Sequence, residues 1–510
     1  MAIWKRNVDA LRDGPFDLLI IGGGITGAGV ALDAALRGFR AALIDKGDFA
    51  SGTSSASSKL VHGGLRYLEH GAFHLVYEAL HERRLLLENA PHLVHPLRFV
   101  LPFYRGDRVP PWQWRVGLTL YDLLAGSSNI RRSQALPLPR LRREFPDLRG
   151  DGLRGGAEYY DAQMDDARLC VEVVRTAVLQ GATAVNYVEA VAFESAGVRA
   201  VDRLGGGEFV IRARQVLNAA GPWVDAVCRL AGDPSGPHLQ PTKGVHLIVP
   251  DRGLSAAFLL LHPADGRVLF VIPWLGRTLL GTTDTLADEP PDALTVTPQE
   301  VDYLLQAHNH FFAPALGPGD VLSSFAGLRP LIRSRPRAPS ALTREFRVWA
   351  SPSGLLSVAG GKYTTYRRMA EVITDEIARR LGRPRRCRTR RFLLDGAPRR
   401  PWRAFEPAET AALQARWGLS EESARHLVRR YGRRAREVAA YLEADATLAR
   451  PVLKGEPDLL AELAYQRDHE LAVRPEDFLL RRTRLGMFHP HLLSGKPAAA
   501  LLARSPSAPR

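Results

Sequence analysis

Residues 16–45 read FDLLIIGGGITGAGVALDAALRGFRAALID. FDLLII is a continuous apolar run, the pattern of a parallel strand buried on both faces. GGGITG follows at once, and AGVALDAALR then has helical character and stops before Gly38, a residue suited to end a helix. RAALI reads as a second strand, closed by Asp45. Gly22, Gly24 and Gly27 match G-x-G-x-x-G, and Asp45 stands 21 positions beyond Gly24. The glycines allow a tight turn and close approach of backbone to a pyrophosphate. The helix N-terminus offers N–H groups and a positive dipole end, and the acid can accept hydrogen bonds from a ribose. The order of these parts predicts a dinucleotide site; the alternative is a Gly-rich turn in another kind of α/β domain.

Directly after the acid, residues 50–70 read ASGTSSASSKLVHGGLRYLEH. A chain leaving Asp45 runs back along a bound dinucleotide, so Ser51, Gly52, Thr53, Ser54 and Ser55 are placed to meet its phosphates. HGGLRY then sets an imidazole, a flexible turn, a guanidinium and a phenol within six residues, groups suited to an anionic hydroxy substrate beside the cofactor ring. The plain alternative is a solvated Ser/Thr/Gly loop. Further along, GGKYTTYRR reads as a Gly-Gly turn before a long helix. A helix starting near Thr364, with Lys362, would bring positive potential to whatever the turn approaches; alternatively Thr364 simply caps that helix.

Between these blocks, 76–160 carries helical stretches such as YEALHERRLLLENA, broken by proline-rich loops such as VPPW. Strands are expected over 185–217, and KGVHLIV, RVLFVIPW and RTLLGTTD read as an antiparallel sheet. After about residue 385 a basic linker leads into short amphipathic helices.

The chain has 510 residues, 45% hydrophobic and 24% charged, as an ordinary globular protein of two or three domains does. Its three cysteines, Cys170, Cys228 and Cys387, are widely spaced, which indicates neither a disulfide framework nor a zinc site, so no metal is expected and a reducing cytoplasm fits. The N-terminus lacks a signal-peptide pattern, and no stretch has the length and apolarity of a membrane span. Of the net charge of +15, residues 383–510 carry +11, from 26 Lys/Arg against 15 Asp/Glu. That excess points to an anionic partner, a membrane surface or a nucleic acid, or else to arginine filling exposed helix faces.

The chain resembles the aerobic, FAD-dependent sn-glycerol-3-phosphate dehydrogenases. The resemblance is carried by GGGITG, TSSASSKLVHGGLRYLEH, DDARL (165–169), NAAGPWVD (218–225), KGVHLIVP (243–250) and IPWLGRTLLGTTD (272–284). It continues through AGLRPL (326–331), ALTREF (341–346), SVAGGKYTTYRRMAE (357–371) and RRTRLGMF (481–488). These blocks keep the family's order and span almost the whole chain. Val245 and Tyr363 depart from it: relatives often have Ser at the first position and an aliphatic residue at the second.

The resemblance implies FAD in the dinucleotide site and oxidation of glycerol 3-phosphate to dihydroxyacetone phosphate, with electrons passed to membrane quinone. It carries substrate contacts over to His62, Arg66, Tyr67, Arg329, Arg344 and Lys362. His62, Arg329 and Lys362 form the expected catalytic group; Arg66, Tyr67, His246 and Arg344 bind substrate. Planar, bidentate guanidinium groups suit a phosphate dianion. The expected cofactor contacts are Gly22, Gly24, Thr26, Gly27, Asp45, Thr53, Ser54, Ser55, Gly221, Gly361, Lys362 and Thr364. For the hydroxyl proton His62 is the first candidate and His246 the second; in the rival account Arg329 and Lys362 stabilise an alkoxide while water carries the proton.

The expected architecture is α/β plus α+β: a Rossmann-like FAD-binding domain, an antiparallel-sheet substrate domain and a C-terminal helical domain. The FAD-binding domain is assigned to 1–75, 161–240 and 341–385, the substrate or cap domain to 76–160 and 241–340, and a basic helical domain to 386–510. The protein is expected in the cytoplasm, peripheral on the inner face of the cell membrane, docking through the basic C-terminal region. There RHLVRRYGRRAR (425–436) combines charge with Leu427, Val428 and Tyr431 as an interfacial segment does. A homodimer is a further expectation, and nucleic acid is not the expected partner. Two other readings stand beside this one: an oxidase using molecular oxygen, and a flavin-dependent protein that binds or modifies RNA through the basic tail.

Overall fold

The computed structural model describes residues 4–333 and 345–494. The opening stretch folds as strand Phe16–Ile21, helix Ile25–Leu36 and strand Ala41–Ile44. Both strands lie inside a six-stranded sheet of order Phe346–Ala350, Leu356–Gly360, Ala213–Asn218, Phe16–Ile21, Ala41–Ile44, Thr183–Val185. All pairings are parallel except that of the Phe346–Ala350 edge. Leu18, Ile20 and Leu43 face the core shared with helices Ile25–Leu36, Asp166–Leu179 and Tyr366–Arg380. Leu19, Ile21, Ala42 and Ile44 face the other way, onto the strands Val188–Glu194, Gly197–Asp202 and Glu208–Ile211, which form an antiparallel meander. Burial on both faces is why the strands carry no polar alternation.

A second, ten-stranded sheet is built around strand Thr242–Pro250, which pairs antiparallel with Ser323–Arg329 on one side and with Arg277–Gly281 on the other. The strands from KGVHLIV, RVLFVIPW and RTLLGTTD lie here, as the sequence pattern predicts. One join is parallel: Ala257–Leu261 runs alongside Val94–Tyr104. Val94–Tyr104 and Leu153–Met164 form a long antiparallel pair, where the sequence pattern suggests helices and proline-rich loops. The cause of the difference is Pro96 and Pro102, which argue against a central strand. Both are tolerated because the parallel neighbour pairs only through Phe99 and Val100, so elsewhere the strand has one partner and needs no second row of donors. YEALHERRLLLENA does form a helix, Phe73–Asn89, and VPPW opens another, Pro111–Ala125.

Beyond residue 400 the chain packs as helices, among them Trp402–Trp417, Glu421–Tyr431 and Leu460–His469, around Leu413, Leu427, Tyr431 and Tyr465. Buried ion pairs hold this unit to the rest: Arg168 with Glu470, Arg434 with Glu172, and Arg482 bidentate on Asp48 at 2.6 and 2.9 Å. Contrary to expectation, 425–436 does not present its apolar residues as an interfacial segment. Leu427, Val428 and Tyr431 have no exposed surface and belong to the helical core. Each of the six arginines faces a carboxylate: Arg425 Glu421, Arg429 Glu406, Arg430 Asp458, Arg433 Asp395, Arg434 Glu172 and Arg436 Glu409. Sequence shows the density of positive charge but not the acids that distant segments bring to it.

Candidate active site

A cavity of about 1110 Å³ opens at the C-terminal ends of the parallel strands, where the strand order turns and α/β sheets bind ligands. Its walls join the two sheets: Gly22 and Asp45 from the first, His246 and Arg329 from the second, with His62 and Lys362 between them.

At the nucleotide end, Gly22 has φ +113°, and a Cβ there would lie 2.5 Å from the Ala219 carbonyl oxygen. A Cβ on Gly27 would lie 2.0 Å from the Gly22 oxygen, so the helix and the turn approach as closely as backbones can. Asp45 accepts hydrogen bonds from the Gly23 N–H at 2.7 Å and the Gly47 N–H at 2.8 Å. Burial pushes its carboxyl up to about 6, against the pull of those two donors. Thr26, Thr53, Ser54 and Gly221 line the cavity. The hydroxyls of 53–55 are already engaged: Ser54 Oγ accepts from the Ile25 N–H at 2.9 Å, Thr53 donates to the Leu328 carbonyl at 2.7 Å, and Ser55 donates to the Gly52 carbonyl at 3.2 Å. Thr53 and Ser54 therefore fasten the loop to the first helix and to the second sheet; Ser55 does not line the cavity.

At the other end, Gly360 and Gly361 turn with φ +80° and +85°. A 3-10 turn over Tyr363–Thr365 precedes the helix Tyr366–Arg380, so the helix begins two residues later than its composition suggests. Thr364 does not cap it. Its Oγ1 accepts from the His62 N–H at 3.2 Å and lies 3.4 Å from the His62 carbonyl, which ties the HGGLRY loop to the Gly-Gly turn. The Lys362 ammonium sits 3.6 Å from the centroid of the Tyr67 ring, a cation–π contact. The phenol of Tyr363 donates to the Asp166 carbonyl.

Arg329 ends strand Ser323–Arg329, with its guanidinium 3.1 Å from Asp284 and donating to the Thr282 hydroxyl at 3.1 Å and the Thr283 carbonyl at 3.2 Å. Gly244 makes room: a Cβ there would lie 2.5 Å from Arg329 Nη2. His246 is 2% exposed, stacks on Phe325 at 4.9 Å and has Nε2 2.8 Å from Ser58 Oγ. Burial, reinforced by the charges of Arg329 and Lys59, lowers its pKa to about 3. It is neutral at any physiological pH. Of the other expected substrate residues, Arg66 and Tyr67 lie on the 3-10 helix Leu65–His70 and do not line the cavity, and Arg344 lies outside the described residues.

Several residues beneath the site carry no role in the sequence reading. Lys59 has no exposed surface; its ammonium lies 2.8 Å from both Asp166 oxygens and donates to the Ser55 carbonyl at 2.6 Å. Arg484 reaches the same carboxylate at 2.8 Å. Burial pushes the Lys59 pKa down to about 8, with Asp166 opposing the shift. Burial raises the Asp166 carboxyl, but the neighbouring Lys59 and Arg484 outweigh it and hold the group below its ordinary value. Beneath Gly63, Tyr121 donates to Asp161 at 2.8 Å and Arg83 pairs with the same carboxylate at 2.5 Å. Lys59, Asp166 and Arg484 all stand inside the blocks quoted above. A lysine amid small polar residues and a doubled Asp before a helix were the available signals, but only the fold pairs them.

Residues 17–367 match the family model described as FAD dependent oxidoreductase, and 387–504 match the C-terminal domain of alpha-glycerophosphate oxidase. An aerobic glycerol-3-phosphate dehydrogenase of Bacillus subtilis is 40% identical over 487 residues, covering 92% of this chain and 87% of the relative. The X-ray structure of the glycerol-3-phosphate dehydrogenase from Bacillus halodurans complexed with FAD superposes with a TM-score of 0.79 at 34% identity, over 95% of this chain and 89% of that one. The L-alpha-glycerophosphate oxidase from Mycoplasma pneumoniae, at 18% identity and a TM-score of 0.57, covers 76% of this chain and 99% of its own and shares the fold.

Proposed function

The chain belongs to the aerobic, FAD-dependent glycerol-3-phosphate dehydrogenase family, and from that premise we propose how its cavity works. The protein is an FAD-dependent enzyme that oxidises sn-glycerol 3-phosphate to dihydroxyacetone phosphate. One observation carries the reading: the G-x-G-x-x-G turn, Asp45, His62, Arg329 and Lys362 share a single cavity.

The residues present fit FAD. The turn is bare of side chains where a pyrophosphate needs close approach, and Asp45 holds an acceptor at the distance along the chain that a ribose requires. Gly22, Gly24, Thr26, Gly27, Asp45 and Ser54 would hold the nucleotide; Gly221, Gly361, Lys362 and Thr364 would hold the ring end. The flavin, when bound, supplies a two-electron acceptor for the hydride from the substrate carbinol.

In this reading Arg329, its plane fixed by Asp284 and Thr282, binds the phosphate with Arg344 as its expected companion. His62 takes the hydroxyl proton on an imidazole nitrogen. His246 is the weaker base for that task, because burial and the charges of Arg329 and Lys59 lower its pKa to about 3 and leave little driving force for proton abstraction at neutral pH; in this reading it orients the substrate instead. Lys362, supported on Tyr67, and the start of the helix Tyr366–Arg380 present positive potential to the reacting end. Arg66 steadies the same loop. In the same reading the FAD-binding domain comprises 1–75, 161–240 and 341–385, the substrate domain 76–160 and 241–340, and the helical domain 386–510.

Electrons are assigned to a membrane quinone, with the protein docked on the inner face of the cell membrane. No helix among the described residues is long and apolar enough to cross a membrane. The acceptor is tested by giving the holoenzyme glycerol 3-phosphate with a water-soluble quinone in air and following quinone loss and hydrogen peroxide together. Quinone reduction well in excess of peroxide is expected; peroxide as the main product would replace the quinone with dioxygen.

A further inference from the structure

The helix Pro111–Ala125 has two apolar faces, and among the described residues only one of them is packed. Trp114, Leu118, Tyr121 and Ala125, spaced four, three and four residues, turn into the core beside Val76, Leu80 and Phe99. Trp112, Val116, Thr119 and Leu123 repeat the same spacing two residues earlier, on the opposite side of the helix. Trp112 is 66% exposed, Val116 60% and Leu123 72%, the three highest values among the exposed large apolar side chains of the described residues. The helix Phe73–Asn89, against which this helix packs, adds Phe73 and Tyr77, also exposed.

The charge around this face differs from that of the C-terminal helices. Arg105 and Arg108 lead into the helix, Arg115 lies on its flank, and Arg131 and Arg132 follow it, all exposed. Among the described residues none of the five has a carboxylate within ion-pair distance. Residues 105–132 hold only two acids, Asp107 and Asp122, and Asp122 is engaged by Asn129 and Ser133. An exposed apolar row opened by a tryptophan and bordered by unneutralised guanidinium groups is the composition of a helix lying in a bilayer headgroup layer. We infer that this helix is the docking surface of the protein, and that its partner is an anionic phospholipid bilayer. The inner row of the same helix reaches the active site: Tyr121 Oη accepts from the Gly63 N–H at 2.9 Å, next to His62. Docking here puts the lipid phase one helix away from the cavity, which deepens the quinone-linked reading above and rests on it for that connection.

The test uses holoenzyme and vesicles of phosphatidylcholine with about 30% phosphatidylglycerol, and sedimentation to measure partitioning. Partitioning is expected with these vesicles and not with pure phosphatidylcholine, and is expected to weaken as salt is raised. Trp112→Ser with Leu123→Ser should weaken it on the order of a hundredfold, about tenfold for each apolar side chain removed from lipid. Arg105→Gln with Arg108→Gln should also weaken it, whereas Arg425→Gln with Arg429→Gln should leave it unchanged. All variants should keep wild-type turnover with a water-soluble quinone. Unchanged partitioning of the Trp112/Leu123 variant, or no binding by the wild type, overturns the inference. So does light scattering that shows a dimer in the absence of lipid which the Trp112/Leu123 variant loses, since the face would then be covered by a second copy. Failure of glycerol 3-phosphate to reduce the flavin in solution would count against the enzymatic reading and leave the lipid result standing.

Discussion

Acidification should weaken the fold through His246 by an amount that can be worked out in advance. Its pKa falls from about 6.5 unfolded to about 3 in the buried site. A depressed folded value means that the unfolded chain takes up the proton, so this contribution to stability is complete above about 6.5 and is lost as pH falls toward 3. Between pH 7 and pH 5 the loss is about 2 kcal/mol by this linkage. His246→Gln removes the titration while keeping a nitrogen near Ser58. Urea unfolding of both proteins at the two pH values, followed by tryptophan fluorescence, gives the difference. Other histidines with lowered pKa, such as His92 and His95, occur in both proteins and cancel. The variant should be less stable at pH 7 because the ring packed on Phe325 is lost, yet it should lose about 2 kcal/mol less on acidification. An equal loss in both proteins would refute a neutral, buried imidazole and with it the preference for His62 over His246 as base.

Three further outcomes follow from the geometry. Gly22→Ala forces a Cβ to 2.5 Å from the Ala219 carbonyl at a φ of +113°, so the purified variant should lose FAD, read from the ratio of absorbance near 450 nm to that of the protein and expected at less than about a tenth of wild type. Asp166→Asn leaves Lys59 and Arg484 buried beside a neutral amide; a cost of about 3–5 kcal/mol should lower the Tm measured by differential scanning fluorimetry by about 5 °C or more, and an unchanged Tm would show that the cluster is not under charge stress. Arg329→Lys keeps the charge but loses the planar fork, so KM for glycerol 3-phosphate should rise about tenfold or more with a smaller change in kcat; an unaltered KM would remove Arg329 from phosphate binding.

Much of the nucleotide half was legible because its physics is local. The order of apolar strand, glycines, helix and acid over 16–45 needs only neighbours in the chain, and the sheet core follows from it. The second sheet was readable where strands alternate with turns, over 242–284, and unreadable over 94–104, where Pro96 and Pro102 obscure a strand that only its pairing with Leu153–Met164 reveals. His62, Arg329 and Lys362 could be named from their motifs, but the partners that set their geometry could not. Thr364 serves His62 rather than its own helix, and Asp284 arrives beside Arg329 through strand pairing. The C-terminal arginines show the same limit. A run of positive charge looks like a surface until the fold supplies Glu172, Asp395, Glu409 and Asp458 to meet it.

The proposed function places a flavin at one end of the cavity and a phosphorylated polyol at the other. Anaerobic titration of the holoenzyme with glycerol 3-phosphate, observed at the flavin absorbance, tests this most directly. Bleaching to the two-electron level by glycerol 3-phosphate, with about one dihydroxyacetone phosphate formed per flavin and no bleaching by glycerol or glycine, is the predicted result. Equal bleaching by glycerol, or a flavin that stays oxidised in saturating glycerol 3-phosphate, would contradict it.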